Sequence, residues 1–171
     1  MHAVPAAWLD QVLSRAGIQV AAAASNIGRH LTYREDPRRT VVIHLAEAET
    51  PEYLQELMSR VLGVGDEWLL LSRYASVSEL GLLPAGLDMA AIAFAQSEQP
   101  RLVEYLCTRP TTADSASADL YVLSGGGDVL VTWDHHTAVD GIDVQLRSVA
   151  DATRLLVTLN ELGAELEVYY T

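Results

Sequence analysis

Lysine is absent from this sequence: all 11 basic residues are arginine, set against 23 acidic ones. A Walker-type phosphate loop, a Schiff-base enzyme and a kinase each need an amine at a fixed place, so none of these chemistries can be built here. Cysteine occurs once, as Cys107, which rules out an internal disulfide and suits a reducing compartment. No apolar run approaches the roughly 18 residues of a membrane-spanning helix. Met1-His2-Ala3-Val4-Pro5 lack the basic and apolar regions of a secretory signal, so the expected location is cytoplasmic. No Gly-x-Ser-x-Gly elbow is present either, and nothing suggests a hydrolase of that type.

What remains is strongly one-sided in charge. A formal net charge of −12 repels phosphate backbones and anionic lipid, which argues against nucleic acid and membrane as partners and favours a basic protein surface. The reliance on arginine, with 23 alanines, fits the codon usage of a GC-rich bacterial genome. A length of 171 residues suits one domain with its own core, which needs no metal or disulfide to fold.

The pattern along the chain alternates short strands with helices. Trp8, Leu9, Val12, Leu13 and Ala16 recur at helical spacing, predicting a helix over 5–16 that Gly17 ends. Ile18 to Ser25 reads as a small-residue strand. The runs 30–34 and 40–45 flank Glu35-Asp36-Pro37-Arg38-Arg39 and read as a hairpin with a five-residue loop. Thr50 and Pro51 open a second helix striped by Leu54, Leu57, Met58, Val61 and Leu62, which Gly63 stops. Trp68-Leu69-Leu70-Leu71 is apolar without alternation, as in a strand buried on both faces. Residues 77–89 read as loop, 90–95 as strand and 98–107 as a helix carrying Leu102, Val103 and Leu106. The Thr, Ser and Asp-rich stretch 108–118 reads as a flexible surface loop within the single domain.

Strand grammar is clearest in the last third. Leu120 to Leu123 and Val129 to Trp133 bracket Ser124-Gly125-Gly126-Gly127-Asp128, a hairpin signal. Ile142, Val144 and Leu146 alternate with Asp143, Gln145 and Arg147, as Leu166, Val168 and Tyr170 do with Glu165, Glu167 and Tyr169. Between them Ser148 caps a helix over 149–162 with Gly163 just beyond its end. The strand–helix–Gly–strand order of 40–73 thus recurs in 142–170. Together these features predict an α+β domain over 1–171: a mixed or mostly antiparallel sheet covered by about four helices.

Chemistry-bearing residues crowd together at one place, Trp133-Asp134-His135-His136-Thr137. A carboxylate beside imidazoles suits a metal or acid–base site, and in an extended strand Asp134 and His136 share a face while His135 lies opposite. Any third ligand must come from elsewhere, with His44, Asp140 and Asp143 as candidates. The competing reading is that Asp134 and one histidine tie down the strand end through hydrogen bonds to backbone. Gly125-Gly126-Gly127 precedes a strand rather than a helix, so it is turn chemistry and not a phosphate cradle. Cys107 sits beside Leu106 on a helical stripe, the usual place of a small core residue. The solvated positions Asp143, Glu165 and Glu167 are the candidate contact surface for a basic partner, and no cofactor is called for.

Two family resemblances attach to this region. Asp134-His135-His136 at the end of an apolar strand resembles one motif of the DHH phosphoesterases, but no residues before it match that family's upstream His and Asp ligands. The segment Gly127-Asp128-Val129-Leu130-Val131-Thr132-Trp133-Asp134-His135, followed by a strand and a leucine-striped helix, resembles the later part of SUKH-type immunity domains. The chain before it does not follow that family's element order. The resemblance implies a small acidic α+β protein that binds a toxin and has no catalytic residues. The expected function is therefore that of a non-enzymatic bacterial binding protein, an immunity or inhibitor protein with a basic partner. The alternative is a small metal-dependent hydrolase centred on Asp134 and His136.

Overall fold

The structure, a computed structural model, describes residues 2–3, 11, 14, 18–21, 30–33, 38–46, 50–72, 91–108, 120–134 and 141–170. Within them the chain runs β1 (His2–Ala3), β2 (Ile18–Ala21), β3 (His30–Tyr33), β4 (Val41–Ala46), α1 (Pro51–Leu62), β5 (Glu67–Ser72), β6 (Ala91–Ala95), a 3-10 turn (Gln96–Glu98) and α2 (Gln99–Thr108). It continues through β7 (Leu120–Ser124), β8 (Val129–Asp134), β9 (Gly141–Leu146), α3 (Val149–Leu162) and β10 (Leu166–Tyr170). The fold class is α+β as the pattern predicts, with three helices rather than about four among the described residues. Gln11 and Ser14 are helical, and the rest of the helix expected over 5–16 lies outside the described residues, as does the loop expected over 77–89; of the loop expected over 108–118, Thr108 instead ends α2 and the rest lies outside the described residues.

Local chemistry accounts for the helix boundaries. The Thr50 hydroxyl accepts the Tyr53 N–H at 3.2 Å, and the Ser148 hydroxyl accepts the Asp151 N–H at 3.3 Å, so each helix has a partner for one of its orphan donors. Gly163 ends α3 in the left-handed conformation at φ 74°, where a side chain would be strained. At the end of α1, the Leu62 carbonyl accepts the Trp68 indole N–H at 3.0 Å, a buried hydrogen bond, and the Gly65 N–H at 3.3 Å.

Eight strands form one sheet in the order β1-β6-β5-β7-β8-β9-β4-β10, and every pairing is antiparallel. Counting pairings along this order makes β4 parallel to β5, and β9 parallel to β10, the relation that helical crossovers produce. The two crossovers differ: α1 carries the chain past β9, β8 and β7, whereas α3 passes β4 alone. The repeated strand–helix–strand order is therefore wired differently in its two occurrences.

One expectation is corrected. Strand β3 pairs with β2, not with β4, so 30–34 and 40–45 do not form a hairpin. Both edges of β4 are taken, by β9 and by β10, and its Val41, Ile43 and Leu45 are buried in the core. Burial of that alternating face outweighs a local turn signal.

All three helices cover one face of the sheet. Ile43, Trp68, Leu70, Ile92, Phe94, Val122, Val131 and Val144 meet Leu57, Met58, Val61, Leu102, Leu106, Leu155 and Leu159 in a single cluster. Each fully buried large apolar side chain contributes roughly 1.5–3 kcal/mol relative to exposure. The opposite face is divided. Across β6, β5, β7 and β8 it shows Ala93, Leu69, Leu71, Tyr121, Leu123 and Leu130, all buried. Trp68 to Leu71 is thus buried on both faces, as its unbroken apolar run predicts. Across β9, β4 and β10 the same face turns polar.

Candidate polar surface at the β9-β4-β10 end of the sheet

Register places the candidate side chains. Leu71, Tyr121, Thr132, Asp143, His44 and Glu167 are successive directly opposed partners, one from each of β5, β7, β8, β9, β4 and β10. A second row runs Leu69, Leu123, Leu130, Gln145, Val42 and Tyr169. The first row turns polar from Thr132 of β8 onward, and the second from Gln145 of β9, with Val42 its one apolar member beyond that point. Directly opposed residues have Cβ atoms about 4.5–5.5 Å apart, so these side chains interact across the strands.

His44 is the centre of the polar half. Its Nδ1 lies 2.7 Å from Asp143 Oδ1, with the imidazole 22% and the carboxylate 41% exposed. Glu167 opposes His44 from the other side, and the Tyr169 hydroxyl donates to the Glu167 carboxylate. That hydrogen bond, with the negative charge of Glu167 and then Asp143, pushes the Tyr169 phenol above its usual range. The imidazole rests over Gly141: a Cβ there would stand 2.6 Å from His44 Cε1 and 2.6 Å from the Leu45 carbonyl oxygen. Only glycine leaves room for the ring at that position.

The residues expected from the sequence divide as follows. Asp143 and Glu167 do share one surface, on either side of His44, and Glu165 is exposed on the same strand run, its carbonyl accepting the Ala46 N–H at 3.1 Å. Asp134 ends β8 opposite Gly141, one register step from this surface. His135, His136 and Asp140 lie outside the described residues. Among the described residues, no group of three His, Cys, Asp or Glu side chains is arranged to hold a metal ion. The residue that sequence reasoning undervalued is His44. Its signal was its place in the β4 alternation, opposite to the buried Ile43 and Leu45.

A concavity of about 440 Å³ lies where Gly65, Asp66, Glu67, Gly125, Gly126 and Asp128 meet Asp151 and Arg154 of α3. Arg154 pairs with Asp151, and the other carboxylates line the walls, so an anionic phosphate is repelled. Gly127, at φ 79°, turns the chain into β8, and its carbonyl accepts the buried Arg39 guanidinium at 3.0 Å. The triple glycine is a turn, as expected. Cys107 is half-buried, and burial pushes its thiol up, away from the nucleophilic thiolate. No known protein family matches this chain, and no curated protein or solved structure does either.

Proposed function

We propose that this is a non-enzymatic binding protein of a bacterial cytoplasm, of the immunity or inhibitor type, whose polar half-face receives a basic protein. The observation that carries this reading is the convergence of Asp143 of β9 with Glu165, Glu167 and Tyr169 at β10, on either side of His44 of β4, in three neighbouring strands that contain no arginine. In a chain with a net charge of −12, such a surface speeds the encounter with a basic partner by long-range attraction. Tyrosine adds a large rigid contact area with a polar tip, a common anchor at protein interfaces.

The test is capture of the partner from the native host, followed by association kinetics at two ionic strengths. Attraction screened over about 10 Å at 0.1 M salt should lose most of its effect on the on-rate as salt rises. Glu165→Gln with Glu167→Gln should slow association in the same way. An on-rate that ignores both salt and these substitutions would reduce the charge to a role in solubility.

A further inference from the structure

We propose that the outer edge of β10 takes up an extended segment of alternating basic and apolar residues as a ninth strand of the sheet. The proposal rests on the acidic surface being the contact surface and specifies how a partner engages it. The first observation is one of register. Ala46 donates its N–H to the Glu165 carbonyl, so Glu165, Glu167 and Tyr169 form the hydrogen-bonded pairs with β4. The backbone N–H and C=O groups of Leu166, Val168 and Tyr170 therefore point the other way, out from the edge.

Among the described residues β10 pairs with β4 alone, and Tyr169 and Tyr170 are 50% and 73% exposed. The strand contains no proline, no lysine and no break in its pairing, and its charge on the edge is the negative charge of Glu167. Its two faces then define the occupant. A residue added beside Glu165 or Glu167 meets a carboxylate, with Asp143 one strand further in. A residue added on the opposite face meets Leu166, Val168 and Tyr170, of which Leu166 and Val168 border the core. Basic residues on one face and apolar residues on the other satisfy both, while backbone hydrogen bonds supply affinity that is independent of sequence. A second copy of this chain fits less well, because joining two β10 strands brings their glutamates together and unites two chains of −12.

The experiment uses the full chain and a synthetic seven-residue peptide of alternating valine and arginine, with a control of the same composition in two blocks. Amide hydrogen exchange is read by NMR. The expected result is that the alternating peptide binds more tightly than the block peptide and slows exchange at Leu166, Val168 and Tyr170. Exchange at Glu167 and Tyr169, whose amides already bond to β4, should stay as it was. Glu165→Gln with Glu167→Gln should weaken binding by about tenfold, and Tyr170→Pro, which removes an outward donor without touching the β4 ladder, should weaken it too. Binding without slowed exchange would overturn the added strand and leave the acidic contact surface standing. Equal affinity for the two peptides, or no binding of either, would also overturn it, with the contact surface still judged by the host partner. Outward amides already protected in the free protein, together with a dimer in sedimentation, would assign the edge to a second copy instead.

Discussion

His44 and Asp143 stand 99 residues apart in sequence and directly opposite each other in the sheet, with Nδ1 and Oδ1 at 2.7 Å. This pair joins β4 to β9 on the face away from the helices, at the point where that face changes from leucine to carboxylate. The polar half of the face is therefore continuous with the buried half, in the same cross-strand rows. A rigid sheet holds Asp143 and Glu167 in fixed register on either side of His44, which lowers the ordering cost that a contact surface on loops would carry.

Gly141 should tolerate no side chain. In Gly141→Ala the new Cβ meets both the His44 ring and the Leu45 carbonyl oxygen, and relief requires the β4–β9 ladder to shift, at a cost of roughly 1–3 kcal/mol. Removing the ring as well, in His44→Ala with Gly141→Ala, should recover only part of the loss, since the backbone contact remains. Urea unfolding of the two single variants and the double variant measures this. A fully additive cycle would show that the ring and Gly141 do not touch.

Arg39 is the anchor between the entry to β4 and the β7–β8 turn. Its guanidinium, in a residue 3% exposed, donates to the Gly127 carbonyl from both terminal nitrogens, at 3.0 and 3.4 Å. Arg39→Ala leaves that buried acceptor without its charged donor and should destabilise the fold by about 1.5–3 kcal/mol. Thermal melts of the wild type and Arg39→Ala measure the loss.

Tyr169 should ionise at higher pH than an ordinary tyrosine. Its folded-state pKa is raised by the hydrogen bond to Glu167 and by nearby negative charge, so the protonated form is the one the fold favours. The contribution is fully present below the unfolded value of 10.0 and is lost as pH rises through the higher folded value. The difference between the alkaline ultraviolet titrations of the wild type and Tyr169→Phe isolates this group. Glu167→Gln should bring its midpoint back toward 10.0, and a midpoint indifferent to Glu167 would contradict the geometry.

How much of this was legible in the sequence depended on whether the signal was local. Thr50, Ser148 and Gly163 mark helix ends by their own hydrogen bonding and conformation, and the structure uses each of them. The unbroken run Trp68 to Leu71 announced a strand covered on both sides, and the alternation after Gly141 announced one covered on a single side. Register could not be read. That Asp143 meets His44, and His44 meets Glu167, is set by long-range pairing, and nothing near any of the three encodes it. The hairpin expected around Glu35 to Arg39 failed for the same reason, since turn residues report a bend without saying which strands it joins. Asp134-His135-His136 attracted attention by crowding in sequence, whereas His44, Asp143, Glu167 and Tyr169, which contact one another across the sheet, are scattered over three strands.

The final prediction concerns Asp134 and His136, where a binding protein and a metal-dependent hydrolase differ most. Asp134 ends β8, opposite Gly141 in the register. In a binding protein, Asp134→Ala and His136→Ala should each lower stability by roughly 1–3 kcal/mol while partner affinity in the folded protein stays close to wild type. Chelation with EDTA should leave the melting temperature where it was, and elemental analysis should find less than one ion per chain. A metal site predicts the reverse, because ligands are held at some cost to stability: His136→Ala would then be stable and inactive, and a stoichiometric ion would be lost with it. That result would make Asp134 and His136 ligands and turn attention to His44 and Asp143, on the neighbouring strands, as the source of the third.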